Sequence, residues 1–109
     1  MEFRKGILFI RLQGKLNKYT IHEIEDNAIP VILKHGLKFI VVNLDKLQSI
    51  DSYGIEMLIK LNELVSRWNG KTTICSLNRY MKENIDNTDL KSKYFETSDE
   101  LTAIEVFKI

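Results

Sequence analysis

Residues Lys38 to Leu44, Lys-Phe-Ile-Val-Val-Asn-Leu, form an apolar, β-branched run with no polar alternation. A strand with one wet face alternates apolar and polar residues, whereas a strand covered on both faces does not. The run therefore predicts a strand buried on two sides in a parallel sheet. The next residues narrow the architecture further. A loop over Gln48 to Gly54, ending in Asp51-Ser52-Tyr53-Gly54, leads into Ile55, Leu58, Leu61, Val65 and Trp68, which recur at helical spacing until Asn69-Gly70 stops them. One segment thus reads as buried strand, short loop and a helix with a serine at its start.

The same patterns recur on either side. Gly6 to Leu12 is β-prone and nearly all apolar, and Lys5-Gly6 is suited to a tight turn back to a short strand over Glu2 to Arg4. Thr20-Ile21-His22-Glu23 has the form of a capping box, predicting a helix with Ile21, Ile24, Ala28, Val31 and Ile32 inward. Gly36 is placed to end that helix, and Pro30 to bend or interrupt it by removing a backbone donor. Thr72 to Ser76 reads as a third parallel-type strand, and Asn78 as the cap of a helix over Arg79 to Ile85. Asp86 to Lys93 is polar and carries no strong signal. Tyr94-Phe95 reads as a short last strand, and Thr97-Ser98-Asp99-Glu100 as a second capping box opening a helix with Leu101, Ile104, Val106 and Phe107 inward. The expected fold class is α/β, one domain over residues 1–109, with a mixed, mostly parallel sheet of roughly four to five strands covered by about four helices.

Composition excludes several functions. Sixteen basic against fifteen acidic residues leave a formal net charge of +1, too little field to gather nucleic acid or an anionic membrane. The single Cys75 has no partner for an intramolecular disulfide, and it reads as a buried small hydrophobe in a reducing compartment. The first residues lack the apolar core of a signal peptide, and no apolar run approaches the roughly 18 residues of a membrane span, so a cytoplasmic protein is expected. His22 and His35 both fall on the first predicted helix, and no Gly-x-Ser-x-Gly elbow, metal-ligand spacing or glycine-rich nucleotide fingerprint is present. No catalytic residue, metal or cofactor is expected, and the chain is not read as an enzyme.

Functional groups of open α/β sheets collect beyond the carboxyl ends of the strands. Three segments qualify here: Gln13-Gly14-Lys15-Leu16-Asn17, Gln48 to Gly54, and Ser76-Leu77-Asn78. They are expected to converge around Ser52. A serine hydroxyl at a helix start faces the positive end of the dipole and can carry a phosphate without unfolding the helix. Capping alone also accounts for the pair, because Asp51 and Ser52 are both preferred N-cap residues. Gly54, in the first helical turn, costs about 1 kcal/mol against alanine, which points to a close approach by either the sheet or a partner. Tyr53 reads equally as a partner-facing aromatic and as an ordinary half-exposed tyrosine.

The segment Val41 to Gly54 resembles the signature of STAS domains, specifically of bacterial anti-sigma-factor antagonists: an apolar strand, an Asp-Leu-like turn, then Asp-Ser-small-Gly opening a helix. Ile10-Arg11-Leu12-Gln13-Gly14-Lys15-Leu16-Asn17 is similar to the family's strand followed by Gly-x-Leu-Asp, and the likeness extends to Cys75-Ser76-Leu77-Asn78 and the short closing helix. The resemblance implies a STAS-like fold in which Ser52 is the phosphoacceptor. It implies that the unphosphorylated form binds an anti-sigma factor, itself a serine protein kinase using ATP, so that a sigma factor is released, and that phosphorylation of Ser52 abolishes binding. A serine phosphatase is a further partner in this reading. Gly14, Leu16, Asn17, Asp51, Tyr53, Gly54, Ser76 and Asn78 would form the partner surface, with Asp51 a cap and neighbouring charge rather than a catalytic base. The chain departs from the family at Asn17, where Asp is usual, and at Tyr53, where Ser, Thr or Ala is usual. A second reading keeps the fold but makes the chain a STAS interaction subunit of a transport or stress-signalling scaffold complex, without phosphorylation. Sequence leaves both open.

Overall fold

The apolar run that predicts a two-sided strand is buried from both sides. A computed structural model, describing residues 1–107, contains a five-stranded sheet: β1 (Glu2–Arg4), β2 (Ile7–Leu16), β3 (Phe39–Ile50), β4 (Lys71–Cys75) and β5 (Phe95–Thr97). The strands lie side by side in chain order, with β1 antiparallel to β2 and all other pairs parallel. Around them lie α1 (His22–Asn27), α2 (Ile29–His35), α3 (Ser52–Ser66), α4 (Arg79–Asp86), α5 (Leu90–Lys93) and α6 (Glu100–Val106). Ile40 and Val42 point to one sheet face, where Leu8, Ile10 and Ile74 join Ile24, Ile32, Leu58, Leu61, Met81 and Leu90 from α1 to α5. Val41 points to the other, where Ile7, Phe9 and Cys75 meet Ala103 and Phe107 of α6 and its end. Burial on both faces is the reason the run has no polar alternation.

Several local expectations hold. Lys5 and Gly6 both have positive φ, 53° and 80°, as a two-residue hairpin turn demands. Gly36 ends α2 in the left-handed conformation, and the Asn78 side chain caps α4 by accepting from the Met81 amide. Pro30 interrupts its helix: α1 stops at Asn27, α2 starts at Ile29, and Pro30 falls in the first turn of the new helix, where a missing N–H removes no bond.

Other expectations are corrected. Among the described residues there are six helical segments rather than four, because Pro30 splits the first and the polar stretch after Asp86 adds α5. The Thr20 capping box does not form. The Thr20 hydroxyl donates to the Lys15 carbonyl (2.8 Å) and accepts from the Asn17 amide (2.9 Å), and α1 starts without a side-chain cap. The cap of α6 is Asp99, accepting from the Thr102 amide at 2.8 Å, rather than Thr97. Leu101, expected inside, is 77 % exposed, whereas Phe107 is buried as expected, together with Ala103. Trp68 lies beyond the end of α3 and is also exposed. The Tyr94 ring is buried before β5 begins, and its hydroxyl donates to the Leu58 carbonyl of α3.

Among the described residues α6 alone covers the second face, and a polar clamp holds it there. The Arg11 guanidinium on β2 binds both Glu100 oxygens at 2.8 Å and donates its third bond to Glu2, while the Asn43 amide donates to Glu100. The hydrogen-bonded Arg11 holds the Glu100 carboxyl below the ordinary Glu range; partial burial opposes this and Asn43 reinforces it. A carboxylate with a depressed folded pKa stabilises the fold above its ordinary pKa of about 4.3, and that stabilisation is lost as pH falls through the depressed value. Thermal melts over about pH 6 to 3 will therefore show a steeper acid loss for the native chain than for Glu100→Gln, which lacks the titrating group.

Candidate functional site

The Ser52 region is built at the far end of the longest strand pair. β2 and β3 were expected to end near Leu12 and Leu44, but they remain paired as far as Leu16 and Ile50. Two register shifts, between Arg11 and Gln13 and between Gly14 and Lys15, carry the pair past the point where β4 leaves the sheet at Asn43↔Cys75. Bulges of this kind sharpen strand twist, and Gly14 takes up a positive φ of 69° beside the second. Gln13 to Leu16 and Gln48 to Ile50 are therefore strand rather than loop. Their polar residues reflect exposure of this extension, in which Asp45, Lys46 and Gln48 are exposed while Leu44 and Leu47 are buried.

From that platform the chain turns directly into α3. Asp51, in extended conformation, is the N-cap, and its carboxylate accepts from the Gly54 amide at 3.0 Å. The Asp51 amide donates to the Leu16 carbonyl at 3.2 Å. A Cβ on Gly54 would stand 2.7 Å from that same carbonyl oxygen and 2.8 Å from Ile50 Cγ1. The close approach signalled by this glycine is thus made by the sheet itself, with Leu16 and Gly54 both buried. Ser52 is left as the first helical residue, exposed, and no hydrogen bond joins its hydroxyl to another described residue. Of the two candidate caps, Asp51 takes the role and Ser52 does not. Tyr53 is 50 % exposed beside it.

Asn17 follows the end of β2. Its side-chain oxygen accepts from the Tyr19 amide at 2.9 Å, its carbonyl accepts from the Thr20 and Ile21 amides, and the Thr20 hydroxyl closes the turn. An Asp carboxylate supplies the same acceptor, so replacement of the family's usual Asp by Asn preserves this turn and removes only a charge. Ser76 and Asn78 have local structural roles at the exit of β4. Ser76 turns the chain out of β4 with φ 62°, in contact with Cys75 Sγ, and Asn78 caps α4. Ser52 shares a depression of about 330 Å³ with Asn87-Thr88-Asp89, between α4 and α5, and with Ile55, Glu56 and Ile59 of α3. Sequence reading missed these three residues. Their Asx-rich composition marks a turn, but only tertiary packing brings that turn beside α3.

The remaining candidates for chemistry have structural surroundings. Cys75 is fully buried, and burial raises its thiol pKa, the opposite of what a reactive thiolate needs. His35 stacks on Phe3 with ring centroids 6.4 Å apart, and His22 is an exposed residue at the start of α1. No helix among the described residues is long and apolar enough to cross a membrane.

Two substitutions test this construction. Gly54→Ala forces its methyl group against the Leu16 backbone, which cannot swing away as a side chain can, and should cost about 1 to 3 kcal/mol. Asn17→Asp keeps the turn acceptor and should stay within about 0.5 kcal/mol of the native chain. Urea titrations of both proteins measure the difference.

A model of the STAS domain family matches residues 1–102 of the chain. The anti-sigma F factor antagonist of Paenibacillus polymyxa is 27 % identical over 90 residues, spanning 83 % of this chain and 77 % of that protein. Among solved structures, a putative anti-sigma factor antagonist from Thermotoga maritima superimposes with a TM-score of 0.88 at 18 % identity, over 96 % of this chain and 90 % of the other. The anti-sigma factor antagonist SpoIIAA in its unphosphorylated form superimposes with a TM-score of 0.77 at 17 % identity, over 97 % and 93 % of the two chains. SpoIIAA of Bacillus in its phosphorylated form gives 0.76 at 18 % identity, over 99 % and 96 %. These structural likenesses establish a shared fold, and with the family match over nearly its whole length the chain belongs to the STAS domain family.

Proposed function

We propose that this protein is an anti-sigma-factor antagonist whose phosphoacceptor is Ser52. In its unphosphorylated form it binds an anti-sigma factor that is also a serine protein kinase, and a sigma factor is released. One observation carries the reading: Asp51 caps α3, leaving the Ser52 hydroxyl exposed and unbonded at the helix start. The likeness to the antagonist of P. polymyxa supports the class of partner.

The chemistry asks little of this chain. The Ser52 oxygen attacks the terminal phosphorus of ATP, the bond to ADP breaks, and a base of the kinase takes the hydroxyl proton. The product gains about −1.5 to −2 charge and three acceptor oxygens. The α3 N-terminus tolerates that charge, since its amides and dipole are positive there and no acidic residue lies in the first turn. The fold is therefore retained. At the surface the same charge joins Asp51 on one side and the depression bearing Glu56 and Asp89 on the other. A partner seated on this surface must desolvate the phosphate among like charges, so binding is lost without unfolding. Exposed Tyr53, Ser52 and Asp51, with Asn17 and the exit of β2 beside them and Leu16 and Gly54 beneath, form the proposed contact surface. Gly14 sets the twist of the β2 end, while Ser76 and Asn78 belong to its periphery. A serine phosphatase would reset the switch.

Incubation with the kinase and ATP should add one phosphoryl group, located at Ser52 by mass spectrometry. Ser52→Ala should retain partner binding, and Ser52→Asp should weaken it by about tenfold or more in titration calorimetry. Absence of modification together with equal binding of both variants would overturn the switch and leave a STAS interaction subunit that is not phosphorylated.

A further inference from the structure

The sheet face opposite α3 carries a groove that the switch does not use. It lies between α6 and the β1–β2 hairpin and has a volume of about 490 Å³. Ile7, Phe9 and Phe39 line it from the sheet, and Leu101 and Ile104 from α6. The groove exists because α6 is short and, among the described residues, alone on this face, and because Leu101 is turned outward, to 77 % exposure.

The ionisable side chains in its lining are cations. Arg4 and Lys5 line the groove where the hairpin turns, and the Arg4 guanidinium lies 5.0 Å from the Phe9 ring centroid. Glu100 is held by Arg11 and Asn43, and Glu2 bonds Arg11 at 2.8 Å while pairing more loosely with Arg4 at 3.7 Å, which leaves Arg4 donors for a ligand. Lys5 makes no ion pair with another described residue. Small-molecule sites are concave, about 300 to 1,000 Å³, mostly apolar, and carry a few polar groups that orient the ligand. This groove meets each criterion, and its polar groups are cations.

We propose that the groove between α6 and the β1–β2 hairpin binds a small anionic amphiphile of the fatty-acid type, its hydrocarbon body against Phe39, Leu101 and Ile104 and its carboxylate at Arg4 and Lys5. The ligand would occupy the sheet face opposite the Ser52 helix, so binding and phosphorylation are separable, and failure of one leaves the other standing.

Dodecanoate, titrated calorimetrically below its micelle concentration, should bind with one-to-one stoichiometry, and neutral dodecanol should bind about tenfold more weakly. Arg4→Gln with Lys5→Asn should lose about the same factor; Asn is chosen because it tolerates the left-handed φ of 53° at position 5. Ile104→Trp should block binding by filling the groove. Circular dichroism melts check that each variant is folded, and Lys5→Asn alone provides a milder test at the exposed turn. Absence of binding by dodecanoate overturns the proposal. So does equal binding of acid and alcohol by all variants, and so does sedimentation showing that the native chain closes this groove by pairing with a second copy that Ile104→Trp disrupts.

Discussion

The contact between the Leu16 carbonyl and the start of α3 is the constraint on which the candidate site depends. That oxygen receives the Asp51 amide and lies against the Cα of Gly54, so the last residue of β2 holds the first turn of α3. The contact requires β2 and β3 to stay paired to Leu16↔Ile50, which requires the register shifts near Gly14. Ser52 is consequently mounted on the end of a rigid strand pair rather than on a free loop. A group that must be read by a partner before and after modification gains from such mounting, because the surrounding backbone need not reorganise when its charge changes.

The two sheet faces have unequal cover, and this divides the molecule's surfaces. Five helices pack on the face that carries α3, giving a large cluster around Ile40, Val42, Leu58 and Leu61. On the other face α6 supplies little beyond Ala103 and Phe107, and the Arg11–Glu100–Asn43 clamp compensates with directional bonds where apolar contact is small. The incomplete cover leaves the apolar groove beside the hairpin. The proposed switch surface thus lies on the well-covered face, and the proposed ligand groove on the other.

Legibility varied with how local the deciding physics is. The two-sided β3, the Lys5-Gly6 turn, the Gly36 stop and the Asn78 cap depend on few residues, and all were readable in advance. The two capping boxes failed for different reasons. In Thr97-Ser98-Asp99 several residues compete for one cap, and the winner is set by where Glu100 can reach Arg11 on a distant strand. At Thr20 the hydroxyl is claimed by Lys15 and Asn17, so it is not free to cap. The lengths of β2 and β3 were underestimated because an exposed strand extension has the composition of a loop.

The sequence by itself determined the alternation of strands and helices, the burial of Val41 and Val42 on opposite faces, and the placement of Asp51-Ser52-Tyr53-Gly54 at a helix start, since each follows from side-chain periodicity and backbone preference along the chain. Tertiary structure decided that the Asp51 amide and Gly54 both meet the Leu16 carbonyl, and that Asn87 to Asp89 share a depression with the serine. These outcomes rest on contacts between residues far apart in the chain, and spacing along a sequence carries no distance across a sheet.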